Sequence, residues 1–121
     1  MRKIEREMVS AIRSLNPGEE WAKDNTRVDY DATANVVNVY LHGNLIAKVE
    51  KTMCNLAMVP LHVHITLAGW NTATTRSRLT AILRSFVPGC FGVSTKQGQA
   101  RIRYADGRDV KITDNGWYLA S

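Results

Sequence analysis

Apolar residues recur at three- and four-residue spacing at the start of the chain: Ile4, Met8, Ala11, Ile12 and Leu15. That period predicts a helix with one apolar stripe, stopped by Asn16-Pro17-Gly18. Lys3, Arg6, Glu7 and Arg13 fall on the opposite side, as expected of a helix that lies on a sheet. After a polar link holding Trp21 the period changes to two. Residues 26–30 alternate and read as a strand, 31–35 as a turn, and the β-branched run 36–41 as a second strand. His42-Gly43-Asn44 is a tight turn, and 45–49 returns. Short turns between sequential strands imply an antiparallel meander. Residues 51–61 contain Pro60, which breaks a ladder, and read mostly as loop.

Residues 62–67 make another strand, followed by the small and hydroxyl-rich stretch 68–75. Leu79, Ile82, Leu83 and Phe86 then form the apolar stripe of a second helix. Thr74 or Thr75 is its expected N-cap, since a hydroxyl there accepts an orphan backbone N–H, and Pro88-Gly89 ends it. Strands follow at 91–96, 100–105 and 108–113, separated by Gln97-Gly98-Gln99 and by the hairpin signal Asp106-Gly107. The predicted order is helix, four strands, helix, three strands. Antiparallel runs with separate helices give an α+β class, with about seven short strands in one sheet or two. A chain of 121 residues, 45% hydrophobic, fits one domain, residues 1–121.

Charge changes the picture. The net charge is +5, but residues 1–60 hold eight Lys/Arg and eight Asp/Glu, whereas residues 61–121 hold eight and three, so 8 − 3 = +5 lies in the second half. Between Glu50 and Asp106 there is no carboxylate, while Lys51, Arg76, Arg78, Arg84, Lys96, Arg101 and Arg103 lie inside that interval. Cations without local acids project their field into solvent and attract polyanions. No apolar run approaches the ~20 residues that span a bilayer, and the charged N-terminus lacks the apolar stretch of a signal peptide. The expected setting is the cytoplasm, with no membrane partner. Cys54 and Cys90 stand alone, without metal or redox spacing, and read as reduced structural thiols.

Two segments are candidates for polyanion contact. At the helix entrance, Arg76 and Arg78 join Thr72, Thr74, Thr75 and Ser77, donors suited to phosphate, beside Trp70. In the late hairpin, Arg101 and Arg103 share a strand face and Ile102 and Tyr104 the other, with Lys96 and Lys111 nearby. Cations that track a backbone, with aromatic rings that stack on bases, are the equipment of single-strand binders. Trp70 and Trp117, with Tyr118 as a further option, are the stacking candidates; Tyr104 reads as core. His62 and His64 share a strand face at metal-like spacing, but no nearby Cys, Asp or Glu completes a site. No cofactor is expected. Paired catalytic carboxylates, a nucleophile elbow and a P-loop are all missing, so an enzyme is not expected.

The segments Met1-Arg2-Lys3-Ile4-Glu5, Tyr40-Leu41-His42-Gly43-Asn44-Leu45-Ile46-Ala47 and Gly69-Trp70-Asn71-Thr72-Ala73-Thr74-Thr75-Arg76-Ser77-Arg78-Leu79 resemble a pattern found in small bacteriophage proteins. In size and charge the chain is similar to the single-stranded-DNA-binding transcription cofactors of N4-like phages. That resemblance implies a phage RNA polymerase as partner and binding at melted promoter DNA; it carries over no binding residue by motif. The expected function is therefore a phage single-stranded-DNA binder using Trp70, Arg76, Arg78, Lys96, Arg101, Arg103, Lys111 and Trp117. A small domain of this kind gains a longer track as a homo-oligomer, a dimer or tetramer. The alternative is a phage-encoded protein-binding module that inhibits or redirects a host enzyme, because basic patches also recognise acidic protein surfaces.

Overall fold

The computed structural model describes residues 1–121. The first apolar stripe folds as α1 (Lys3–Ser14) and the second as α2 (Ala73–Phe86). The strands are β1 (Glu20–Lys23), β2 (Thr26–Asp31), β3 (Val36–Leu41), β4 (Asn44–Cys54), β5 (Ala57–Ile65), β6 (Cys90–Lys96), β7 (Gln99–Tyr104), β8 (Asp109–Lys111) and β9 (Tyr118–Leu119). They form two antiparallel sheets. Sheet A runs β1-β2-β3-β4-β5-β9, and sheet B runs β6-β7-β8. The α+β class is thus as read, with nine strands in two sheets. No helix is long and apolar enough to cross a membrane.

The period-two pattern explains the layers. Val28 and Tyr30 on β2, Val37 and Val39 on β3, Val49 on β4, and Val63 and Ile65 on β5 turn inward, where the two helices cover them with Met8, Ile12, Leu79 and Ile82. The inward side of sheet B adds Val93, Ala100, Ile102 and Tyr104 to the same core cluster. Sheet B meets α2 along the edge of β6. The Thr80 hydroxyl accepts from Val93 N at 3.0 Å and donates to Val93 O at 3.2 Å. Gly92, at φ +114°, allows this approach: a Cβ there would lie 2.5 Å from Thr80 Cγ2.

The structure adds β9, where no strand was expected, and departs from the expected elements in three further places. Residues 20–23 are an edge strand where a polar link was expected; Trp21 pairs with Val28 and packs against the core. Residues 51–61 are a hairpin arm, not a loop. Asn55 and Leu56, both at positive φ, supply the two-residue turn that Gly normally marks. Pro60 is accommodated next to a register shift between Glu50 and Lys51, on a stretch of β5 whose other side β9 does not reach. Beyond Glu50 the arm has no third strand, because β3 pairs with β4 only as far as Val36. Finally, the N-cap of α2 is Thr72, whose side chain accepts from Thr75 N at 3.2 Å, in place of Thr74 or Thr75.

The seam between the helices holds the largest correction. Arg78 was expected at the surface, but its side chain is 4% exposed. Its Nη1 donates to Glu5 Oε2 at 2.8 Å, its Nε to Thr26 Oγ1 at 3.1 Å, and its Nη2 to Asn25 Oδ1 at 3.4 Å. Ser77 also donates to Glu5 Oε2, at 2.6 Å, and Arg2 N to Glu5 Oε1 at 3.3 Å. Burial by itself raises the pKa of Glu5, but the bonds from Ser77, Arg78 and Arg2, with the charge of Arg78, outweigh it and hold the carboxyl below its usual range. A second buried cation, Lys51, donates to the Arg13 carbonyl in the last turn of α1 at 3.4 Å, where the helix end favours positive charge. Burial lowers its pKa. Both cysteines are unpaired, as read, but only Cys90 is buried; Cys54 is exposed near the tip of the arm.

Candidate nucleic-acid interface

In an antiparallel pair, residues that face each other across the ladder share a side. Ser94 faces Arg101, Lys96 faces Gln99, Arg101 faces Lys111, and Arg103 faces Asp109. Lys96, Arg101, Arg103 and Lys111 therefore project from one side of sheet B, opposite the buried Ile102 and Tyr104. Four of the expected contact residues are thus brought together by a register that the sequence only partly indicated. This outward side carries one acid, Asp109, paired with Arg101 at 2.7 Å, so its charge is 4 − 1 = +3. Lys96, Arg103 and Lys111 are exposed and form no ion pair. The Arg101 side chain is 18% exposed, and its Nε has no hydrogen-bond partner.

The flank of this face is fixed by Tyr104 and Arg108. The Tyr104 hydroxyl donates to the Ala120 carbonyl at 2.8 Å, which ties β7 to the C-terminal segment. Burial raises its pKa, and the Arg108 guanidinium lies 4.1 Å from its ring centroid. Arg108 also donates to Asp106 at 2.8 Å, holding that exposed carboxyl below its usual range through hydrogen bonds first and charge second. Tyr104 is core, as read.

The remaining candidates occupy other places. Trp70 is 58% exposed on the loop that leads into α2. The next residue, Asn71, donates from Nδ2 to the Gly98 carbonyl at 3.2 Å, so the Trp70 loop adjoins the turn that carries Lys96. Arg76 is half-buried and braces this loop, its Nη1 donating to both the backbone and the side chain of Asn71. Trp117 is 46% exposed but sits elsewhere, with the Lys48 ammonium 5.2 Å from its ring centroid on the outward side of sheet A. Tyr118 is turned to its own loop, where its hydroxyl is bonded to Thr113 and its pKa is lowered by those bonds. The aromatic groups therefore do not form one platform; only Trp70 adjoins the basic face.

His62 and His64 share a side of β5, as read. Against expectation an acid is close: Glu50, on the adjacent β4, lies 3.0 Å from His64 Nε2, while His62 Nδ1 meets the Ser121 carbonyl at 2.9 Å. No group of three or more His, Cys, Asp or Glu residues is placed to hold a metal.

No curated protein and no solved structure matches the chain. The family profile described as the Kyanoviridae Gp96 protein matches residues 1–119, nearly the whole chain. The bacteriophage origin implied by the three sequence segments is thereby supported, and the protein belongs to the Kyanoviridae Gp96 family.

Proposed function

We propose that this phage protein is a non-enzymatic single-stranded-DNA-binding protein that engages melted DNA as a transcription cofactor, alongside a phage RNA polymerase. The observation that carries this reading is the outward side of sheet B, where Lys96, Arg101, Arg103 and Lys111 meet a single carboxylate. A flat face of this kind suits a flexible phosphate backbone. The adjoining Trp70 supplies a surface on which an unpaired base stacks, which a duplex does not offer. Homo-oligomers would join such faces into a longer track.

Fluorescence anisotropy with oligo-dT and with a duplex of equal length, at two salt concentrations, tests the reading. Single-strand binding releases counterions with a slope of roughly −0.7 per phosphate contact. Four cations correspond to a loss of about 50-fold between 50 and 200 mM salt, with the single strand preferred. A salt-independent signal, or none, overturns it.

One feature favours the second reading, a module that binds a host protein. Residues 52–61 of the arm carry no charge, and Met53, Leu56 and Leu61 are exposed, Leu56 at 97%. Exposed apolar clusters mark protein contacts. Recovery of one host protein after nuclease treatment, with no oligonucleotide shift, selects this reading.

A further inference from the structure

The β3–β4 turn and the loop into α2 enclose a cleft of about 480 Å³, within the range of small-ligand sites. Leu41, Ile46 and Leu67, all buried, form an apolar floor, and the exposed Trp70 forms a wall. Two of the three segments singled out in the sequence, 40–47 and 69–79, supply every lining residue except Leu67.

The polar groups around the cleft fall into two sets. Asn71, Thr72, Thr75 and Arg76 are spent on one another and on the Gly98 carbonyl. The Asn44 carboxamide, the His42 imidazole and the Thr74 hydroxyl, which also line the cleft, are bonded to no other group of the chain. The carboxamide offers a donor and an acceptor side by side, the imidazole a ring nitrogen of either kind, and the hydroxyl both a donor and an acceptor. They stand over an apolar floor beside an indole, and this combination fits a flat heterocycle with a polar edge.

The cleft is also held open in advance. His42 N donates to the Asn25 carbonyl at 2.8 Å, and the Asn25 side chain belongs to the Arg78 network of the seam. On the other wall, Gly69 N donates to the Asp114 carbonyl at 2.7 Å and Trp70 N to the Leu67 carbonyl at 2.9 Å. His42 and Ala68, at φ +51° and +53°, are each followed by a glycine at positive φ, the pairing of a tight two-residue turn that fixes the path of each wall.

We propose that this cleft takes a single unstacked nucleobase, its ring on Trp70 and its polar edge read by Asn44 and His42. The inference rests on the single-strand reading and deepens it. Phosphates lie along sheet B, and one base leaves the strand where the Lys96 turn adjoins the Trp70 loop. The site would give a sequence-tolerant face one point of base preference.

Two measurements separate this inference from the reading beneath it. In the first, the uncharged nucleosides thymidine, deoxycytidine, deoxyadenosine and deoxyguanosine are titrated into the ¹⁵N-labelled protein, a probe that needs no basic face. Shifts at the Trp70 indole N–H and the Asn44 side-chain amide are expected, and the indole shift is lost in Asn44→Leu. In the second, (dT)8 anisotropy is measured on Trp70→Ala and Trp70→Phe. Loss of stacking is expected to weaken binding about 5- to 150-fold in Trp70→Ala, with substantial rescue in Trp70→Phe. The urea midpoint should stay unchanged, because Trp70 is exposed. If (dT)8 binds both variants and the wild type equally and no nucleoside shifts those signals, the cleft is overturned while the basic face stands. If nucleosides shift them but (dT)8 does not bind, the basic face falls and the cleft stands.

Discussion

The seam between the helices and the outward side of sheet B draw arginines from the same acid-free stretch and use them in opposite ways. At the seam, Arg78 is buried and its charge is consumed by Glu5, a partner 73 residues away. On sheet B, Arg103 and Lys111 face solvent without an ion pair, and a single acid serves the whole side. Distance along the chain from a carboxylate therefore does not measure how free a cation is. The fold decides, by returning α1 to the start of α2 while leaving β7 and β8 uncovered.

The comparison breaks most visibly in stability. Removing one partner of a buried pair strands the other charge, so Arg78→Ala should cost about 3–5 kcal/mol in urea unfolding. Arg103→Ala should stay within about 0.5 kcal/mol. Equal losses would mean that the seam is not the structural pair described. In DNA binding the roles reverse. Arg103→Ala combined with Lys111→Ala should flatten the salt slope by about 1.4, some 0.7 for each lost phosphate contact, at unchanged stability. An unchanged slope would place DNA elsewhere on the protein.

The smallest effect is in acid. The folded pKa of Glu5 lies below its ordinary 4.5, so the seam contributes its full stability above that value. The contribution is lost as pH falls through the lower, folded value. Urea midpoints of the wild type should therefore fall with pH in this range more steeply than those of Glu5→Gln. The difference is at most one proton, about 1.4 kcal/mol per pH unit. Parallel profiles would remove Glu5 from the account.

Periodicity made much of this legible. The stripes Ile4 to Leu15 and Leu79 to Phe86 became the two helices, and the strand patterns in residues 26–49 became β2, β3 and the first half of β4. The arm was hidden because Asn55-Leu56 lacks the glycine that announces a tight turn and because Pro60 argues against a ladder. β1 was hidden because Glu20-Trp21-Ala22-Lys23 has no β-branched residue. At the candidate face, alternation placed Arg101 and Arg103 together, but only the register added Lys96 and Lys111. The Arg78–Glu5 pair left no local trace, since both residues look like solvated charges on their helices. The cleft was equally unreadable, because it exists only where the turn at His42 meets the loop at Trp70.

Thr80 has a consequence for how the molecule behaves among its own copies. The edge of a sheet is a template for the next strand, and a flat exposed edge invites stacking into aggregates. By occupying both the amide and the carbonyl of Val93, a single hydroxyl caps the free edge of β6 at its middle. The opposite edge is β8, only three residues long and ending in Lys111. A small sheet with one bare face is thus guarded at both edges against pairing with a further strand.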